Sequence, residues 1–359
     1  MTESFSRRNL MGLPLAELSE YFAGLGEPPF RARQVYHWIC RRLAGSFQEM
    51  SDLPQRLRQR LEEEAFLADP EIVERRQAAD GTVKYALRML DGTVVEAVVM
   101  PMDGHHTLCL SAQAGCAVGC RFCVTGALGA GRNLRAFEIF GQFRQLMRDQ
   151  KLLGQRVNVV FMGMGEPLFN FDQVVASLAL LGETVSLRRI TVSTAGVVPK
   201  LDALGQLPRR PNLAVSLNAT TDEQRARLMP GVARWPLPAL LEALRRYPLE
   251  RGRRITIEYV LIAEINDSLM DAKRLVRLLT PLRVKVNLIP LNPDPVYLPG
   301  LAPPSEERIS AFAGVLAAAG VNVSVRRSKG LEVAAACGQL RGQLAGRARN
   351  GGLAFLPRL

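Results

Sequence analysis

Four of the chain's six cysteines fall within nineteen positions, LCLSAQAGCAVGCRFCVTG, residues 108–126. Cys116, Cys120 and Cys123 follow a C-x3-C-x2-C spacing, which brings three thiolates to one soft metal centre; zinc and iron–sulfur are the two chemistries that suit it. A structural zinc needs a fourth ligand. His105 or His106 is within reach in sequence, yet both precede the expected first strand and belong at its opposite end. A four-iron cluster held by three cysteines keeps one iron open for a ligand, and Gly115 and Gly119 ease close backbone approach to a bulky group. A disulfide staple fits poorly, because the chain is neither short nor cysteine-dense.

The amino terminus shows no apolar stretch before a small-residue cleavage site, and no run of about twenty apolar residues could span a bilayer. The expectation is a cytoplasmic protein with reduced thiols and no membrane partner. With 359 residues, 48% of them hydrophobic, the chain can bury one large core and a smaller companion. A net charge of +12 favours a polyanionic partner. Arginines cluster at Arg41 and Arg42, at Arg56, Arg58 and Arg60, and between Arg245 and Arg254. Such clusters suit phosphate contacts, although a uniformly basic surface accounts for them equally well.

The elements that must position the cysteines change character along the chain. Residues 1–68 read as a small helical module: LPLAELSEYFAGLG, PFRARQVYHWICRRL with Val35, Trp38, Ile39 and Leu43 on one face, and LPQRLRQRLEEEAFL. Residues 69–106 read as a β segment, in which Asp91-Gly92 between two β-prone runs signals a hairpin. From 107 to 345, strand patterns alternate with amphipathic helices, the signature of a parallel sheet covered by helices. Six such units predict an α/β fold with a partial (βα)6 barrel, open where a complete barrel has eight. Residues 346–359 form a basic tail. In such barrels chemistry sits at the carboxyl ends of the strands. Those ends carry the three cysteines, Gly165-Glu166, Ser193, Ser216 with Asn218, and Asn292. Turns favour Gly, Asn and Ser anyway, so the joint placement counts for more than any member.

C-x3-C-x2-C after the first strand of a partial barrel resembles the radical S-adenosylmethionine superfamily. Within it the chain is similar to the RlmN/Cfr family of RNA adenosine methyltransferases over nearly its whole length: LGEPPFRARQVYHWI, DGTVKYAL, FMGMGEPLFN, STAGVVP, TIEYVLI, VNLIPLNP and AACGQL. The resemblance implies that Cys116, Cys120 and Cys123 hold a [4Fe-4S] cluster. It implies that Gly165, Glu166, Ser193, Ser216, Leu217, Asn218 and Asn292 bind S-adenosylmethionine. Cys337 is then the cysteine that carries a methyl group, Cys109 the second mechanistic cysteine, joined to it in a disulfide when the product leaves, and Glu96 the proton acceptor. On strand alternation alone, Glu96 is an exposed carboxylate and Cys109 a packed small hydrophobe.

The implied reaction is methylation of carbon 2 of an adenosine in 23S rRNA, with tRNA as a second substrate and a flavodoxin or ferredoxin as electron donor to a monomer. Methylation of carbon 8 and a non-catalytic, zinc-stabilised RNA-binding protein are the alternatives. The chain departs from the family pattern at Asn218, where His is usual, at LEVAAAC, which keeps one acid at Glu332 but has Ala334 at the next, and at NPDPVYLPG, which lacks Phe-Pro-Gly.

Overall fold

The computed structural model describes residues 7–341; the basic tail at 346–359 and the end of the expected 107–345 unit lie outside the described residues. Three helices, α1 (Leu15–Gly24), α2 (Phe30–His37) and α3 (Gln55–Glu64), build the amino-terminal module. Helix α2 does not continue as an α-helix through WICRR: residues Trp38–Arg42 form a π turn that ends at Leu43 with φ 55°. The extra residue in that turn keeps Val35, Ile39 and Leu43 buried and leaves Trp38 half-exposed, its indole N–H donating to Asp52 Oδ1 at 2.6 Å. Arg58 and Arg60 spend donors inside the module, on the carbonyls of Gln48 and Leu25 and on Glu64, whereas Arg56 is exposed.

The β segment is a three-stranded antiparallel unit, β1 (Glu71–Gln77), β2 (Val83–Arg88) and β3 (Val94–Met102). The Asp91-Gly92 hairpin joins the last two as expected, with Gly92 at φ 82° and Arg88 opposite Val94. This unit is part of the main sheet, because β3 pairs antiparallel with the first barrel strand, β4 (His105–Cys109). Strands β5 (Val157–Phe161), β6 (Ile190–Thr194), β7 (Asn212–Ser216), β8 (Ile255–Leu261), β9 (Val284–Pro290) and β10 (Val323–Val325) follow in parallel. The ten strands lie in sequence order across one sheet.

Six helical crossovers link β4 to β10: α5 (Ala136–Asp149) after the short α4 (Val124–Ala127), then α6 (Phe171–Leu181), α7 (Val198–Gly205), α8 (Asp222–Leu228) with α9 (Leu237–Arg246), α10 (Leu269–Leu279) and α11 (Glu306–Ala318). This is the partial (βα)6 barrel that the alternation predicts.

Arg144 on α5 fastens the module to the barrel. Its guanidinium is fully buried and donates to both Asp69 oxygens, at 2.7 and 2.8 Å, and to the carbonyls of Ile39 and Ala44 in the module. Arg144→Met strands the Asp69 carboxylate, which only Arg148 at 3.5 Å then partly compensates. The expected loss is about 3 kcal/mol of folding stability, near the lower end for breaking a buried pair, read as a lowered denaturation midpoint.

Candidate active site

The three cysteines lie on the loop after β4, in a conformation glycine makes possible. Gly115 has φ 110°, and a Cβ there would stand 2.7 Å from the Gly129 carbonyl oxygen, so only glycine lets Cys116 N–H reach that oxygen at 2.8 Å. A Cβ at Gly126 would meet the Cys120 backbone at 2.7 Å, so α4 can rest directly on the loop. All three sulfurs border one cavity of about 950 Å³, its open mouth included.

Burial pushes the Cys116 thiol up to about 12 and raises Cys120 and Cys123 as well; at Cys120 the other two cysteines' negative charges add to the effect. Three such groups cannot all ionise without a cation among them. Among the described residues, no three or more His, Cys, Asp or Glu side chains stand close enough together to hold a single ion. The three cysteines line one shared cavity, and their soft thiolates are a donor set that an iron–sulfur cluster would suit.

The opposite wall comes from the other strand ends. Gly165, Glu166, Ser193, Ser216, Asn218 and Asn292 all border the same cavity. Glu166 is fully enclosed: Ala195 N–H donates to Oε2 at 2.6 Å and Leu168 N–H to Oε1 at 2.9 Å, and burial raises its pKa. Its carboxylate thus ties the β5 loop to the β6 loop and leaves the backbone of Gly165, at φ 95°, facing the cavity. Asn218 adopts φ 55°, a left-handed conformation that Asn tolerates well, and its Oδ1 accepts from Val260 N–H at 2.8 Å. Leu217 differs from its neighbours. Strand alternation turns its side chain away from Ser216 and Asn218 into the outer core, where it is fully buried; its carbonyl accepts from Arg225 at 3.0 Å.

Residues 330–341 carry Cys337 and are pinned at several points. Asn292 Nδ2 donates to the Cys337 carbonyl at 3.0 Å, Val124 N–H to that of Gly338 at 2.7 Å, and Thr125 Oγ1 to that of Leu340 at 2.7 Å. Lys84 on β2 and Glu96 on β3 are diagonal neighbours, Lys84 standing opposite Val98 and Glu96 opposite Ala86, and form a buried ion pair at 3.1 Å. Lys84 also donates to the Ala334 carbonyl at 3.3 Å, and Glu96 Oε2 accepts from Arg341 N–H at 2.8 Å, so the pair holds the loop on both sides of Cys337. Glu96 is therefore buried rather than the exposed strand carboxylate that alternation suggested, and it borders neither of the cavities around Cys337. Ala334 sits at φ 50°, a strained place for a residue other than Gly or Asn. Lys84→Met is expected to keep the barrel folded but cut turnover about tenfold or more through misplacement of Cys337, with partial recovery in Lys84→Arg; single-turnover kinetics check this.

Cys337 borders the first cavity and also a second one, of about 710 Å³ with its mouth, which Cys109 borders too. The disulfide that the resemblance implied between them is absent: all six cysteines are free thiols. Both cysteines line this second cavity as free thiols, the reduced state from which an exchange would start. Two groups here escaped the sequence reading. Glu258, inward on β8, borders the first cavity with Oε1 held by Asn287 at 3.0 Å and Oε2 unpartnered, and burial raises its pKa. Its placement follows the same alternation that marks Ser216. Arg326, just past β10, borders the second cavity, and nearby Cys337 favours its charged form.

A sheet of this topology, with a cysteine triad on the first strand's loop and polar groups at the later strand ends, defines a radical S-adenosylmethionine enzyme. Residues 110–276 match the radical SAM superfamily, and residues 8–67 match the family described as the ribosomal RNA large subunit methyltransferase N-terminal domain. Curated relatives named dual-specificity RNA methyltransferase RlmN include one from Anaeromyxobacter dehalogenans, 46% identical, covering 92% of this chain and 91% of the relative. One from Solidesulfovibrio magneticus is 47% identical over 94% and 97%. The crystal structure of a radical SAM methyltransferase from Sphaerobacter thermophilus superposes with a TM-score of 0.88 at 44% identity, covering 93% of this chain and 99% of that one. The chain belongs to the RlmN family.

Proposed function

We propose that this enzyme methylates carbon 2 of an adenosine in 23S rRNA, with tRNA as a second substrate, by way of a methyl group carried on Cys337. The observation that carries this reading is the position of Cys337 in the wall between the cavity of the cysteine triad and the cavity of Cys109. Cys116, Cys120 and Cys123 would hold a [4Fe-4S] cluster, and Gly165, Glu166, Ser193, Ser216, Asn218 and Asn292 would hold S-adenosylmethionine, with Leu217 contributing backbone only. When bound, the two together supply a transferable methyl group and an organic radical able to take hydrogen from a methyl.

The protein's share follows from its geometry. Carbon 2 of adenine is an electrophilic sp² centre, so the methyl must first be parked on a nucleophile, and the Cys337 sulfur borders the cavity where the donor would lie. Asn292 fixes the Cys337 backbone. Glu96 accepts the ring proton in this scheme; bordering neither cavity while it is paired, its carboxylate must turn toward Cys337 and give up Lys84 or Arg341 N–H. Cys109 frees the product. The exposed module arginines, Arg56 among them, supply phosphate contacts. Among the described residues no helix is long and apolar enough to cross a membrane. A monomer in the cytoplasm, reduced by a flavodoxin- or ferredoxin-type protein, completes the scheme.

The test is nucleoside mass spectrometry of 23S rRNA and tRNA treated with the anaerobically reconstituted enzyme. The expected product is 2-methyladenosine. 8-Methyladenosine moves the reaction to carbon 8, and neither product, in a protein that carries zinc without iron, overturns the reading.

A further inference from the structure

Asp80, in the turn between β1 and β2, stands 250 residues before Gly330, where the loop carrying Cys337 begins, yet the two are joined. The turn closes on itself: Ala78 N–H donates to the Thr82 carbonyl at 2.8 Å, and Thr82 N–H to Asp80 Oδ1 at 2.9 Å. Asp80 Oδ2 remains for the loop and accepts from Gly330 N–H at 3.0 Å. Glu332 reaches the other way, its Oε2 accepting from Ala79 N–H at 3.1 Å. Each segment lends the other a carboxylate, and hydrogen bonds to ionised oxygens are the stronger kind. The contact is close. Gly330 has φ 66°, and a Cβ there would stand 2.7 Å from Thr82 Cγ2 and 2.8 Å from the Ala335 Cβ, so glycine lets turn and loop meet.

The two halves of the loop are held differently. Beyond Cys337 the partners are enclosed: Val124, Thr125 and Glu96, which hold Gly338, Leu340 and Arg341, are all buried. Before Cys337 the side chains of Asp80 and Glu332 are exposed, so water competes for the same N–H groups. Buried Lys84 adds only a long contact on that side, 3.3 Å to the Ala334 carbonyl. Ala334 itself holds a left-handed φ of 50°, strain that opening relieves.

We propose that Asp80 and Glu332 are positioning residues for Cys337: they latch the first half of its loop to the β1–β2 turn, and the buried second half is the hinge about which the loop opens. Ala335, Ala336, Cys337 and Leu340 line the second cavity and Cys337 and Gly338 the first, so release of the latch moves a wall of both. The consequence for methylation rests on the role proposed above for Cys337, whereas the latch itself does not.

Asp80→Asn keeps an oxygen for Thr82 N–H and sets an amide NH2 against Gly330 N–H, so it breaks the link and spares the turn. Glu332→Ala removes the second carboxylate, and Glu332→Gln keeps an acceptor for Ala79 N–H. Hydrogen exchange is followed on the reconstituted enzymes in overlapping peptides; in the latched loop Val333, Ala334 and Ala335 N–H are bonded to the Gly330 and Leu331 carbonyls. Asp80→Asn and Glu332→Ala should exchange about tenfold faster over residues 331–336 and stay within about threefold of wild type over 338–341, with Glu332→Gln near wild type throughout. Unchanged exchange before Cys337, or equal acceleration on both sides of it, overturns the inference. On a 23S rRNA fragment, Asp80→Asn should lose about tenfold in kcat with KM within about threefold and iron content unchanged. A raised KM with kcat intact would make Asp80 an RNA contact and overturn its positioning role. An inactive wild type counts against the proposed reaction alone, because the exchange rates still decide whether the latch exists.

Discussion

Cys337→Ala should abolish RNA methylation, to below about one part in a thousand of wild type, while the protein keeps its iron and its visible absorbance. The size of the effect follows from where the side chain sits. Cys337 lines both cavities; of the other residues shared between them, Ile289 has no nucleophile and the Met162 thioether would become a charged sulfonium on methylation, whereas the Cys337 thiolate would become a neutral S-methyl group. The loop itself should survive the change, because its anchors are backbone carbonyls and N–H groups of residues 334, 337, 338, 340 and 341, none of which needs the thiol. Intact-mass analysis supplies a second check: the 14 Da shift expected in the wild-type protein from one added CH2, roughly the mass of any methylation, must be absent from the variant. Methylated RNA from Cys337→Ala would remove the central role of this residue and with it the two-cavity scheme.

The parts of the molecule that obey a simple period were readable beforehand. The carboxyl ends of the expected strands gave Ser193, Ser216 and Asn218, and the structure sets them around one cavity; the Leu217 side chain between the last two is buried in the core, and Glu258, opposite Ser216 on the next strand, joins the cavity wall. Asp91-Gly92 encodes its hairpin locally, within a few residues. What escaped detection depends on tertiary partners. The π turn at Trp38–Arg42 gains from the buried Arg144 and its grip on the Ile39 and Ala44 carbonyls, an element a hundred residues downstream. Glu96 reads as solvent-facing because it alternates with valines along β3, but the loop of Cys337 folds over it and Lys84 pairs with it. The second cavity arises where β3, β4, β5, β9, the segment after β10 and the Cys337 loop meet, segments with no shared motif, so the meeting of Cys109, Cys337 and Arg326 becomes visible only in three dimensions.

Cys109→Ala should convert the enzyme into a trap: a covalent protein–RNA species accumulates to about one equivalent per active site, seen as a retarded band on a denaturing gel that nuclease collapses. In the proposed scheme the methylated base is still bonded to Cys337 through carbon when the ring proton leaves. The Cys109 thiolate then attacks the Cys337 sulfur, the electron pair of the sulfur–carbon bond departs with the carbon and picks up a proton, and a disulfide remains for an external thiol to reduce. Without Cys109 no second thiol among the described residues borders that cavity to make the attack. The environment of Cys109 adds a pH signature. Burial pushes its thiol up to about 12, with the negative charge of Cys337 adding to the rise, and Arg326 and a hydrogen bond from the Met162 backbone pulling against it. The attacking thiolate is therefore a minor species at neutral pH, and its fraction grows about tenfold for each pH unit below that value. Release in a wild-type single turnover should accelerate with rising pH by up to that factor, whereas the adduct of Cys109→Ala should persist at every pH. Free methylated RNA from the variant, at a rate near wild type, would show that another group resolves the thioether and that Cys109 is packing after all.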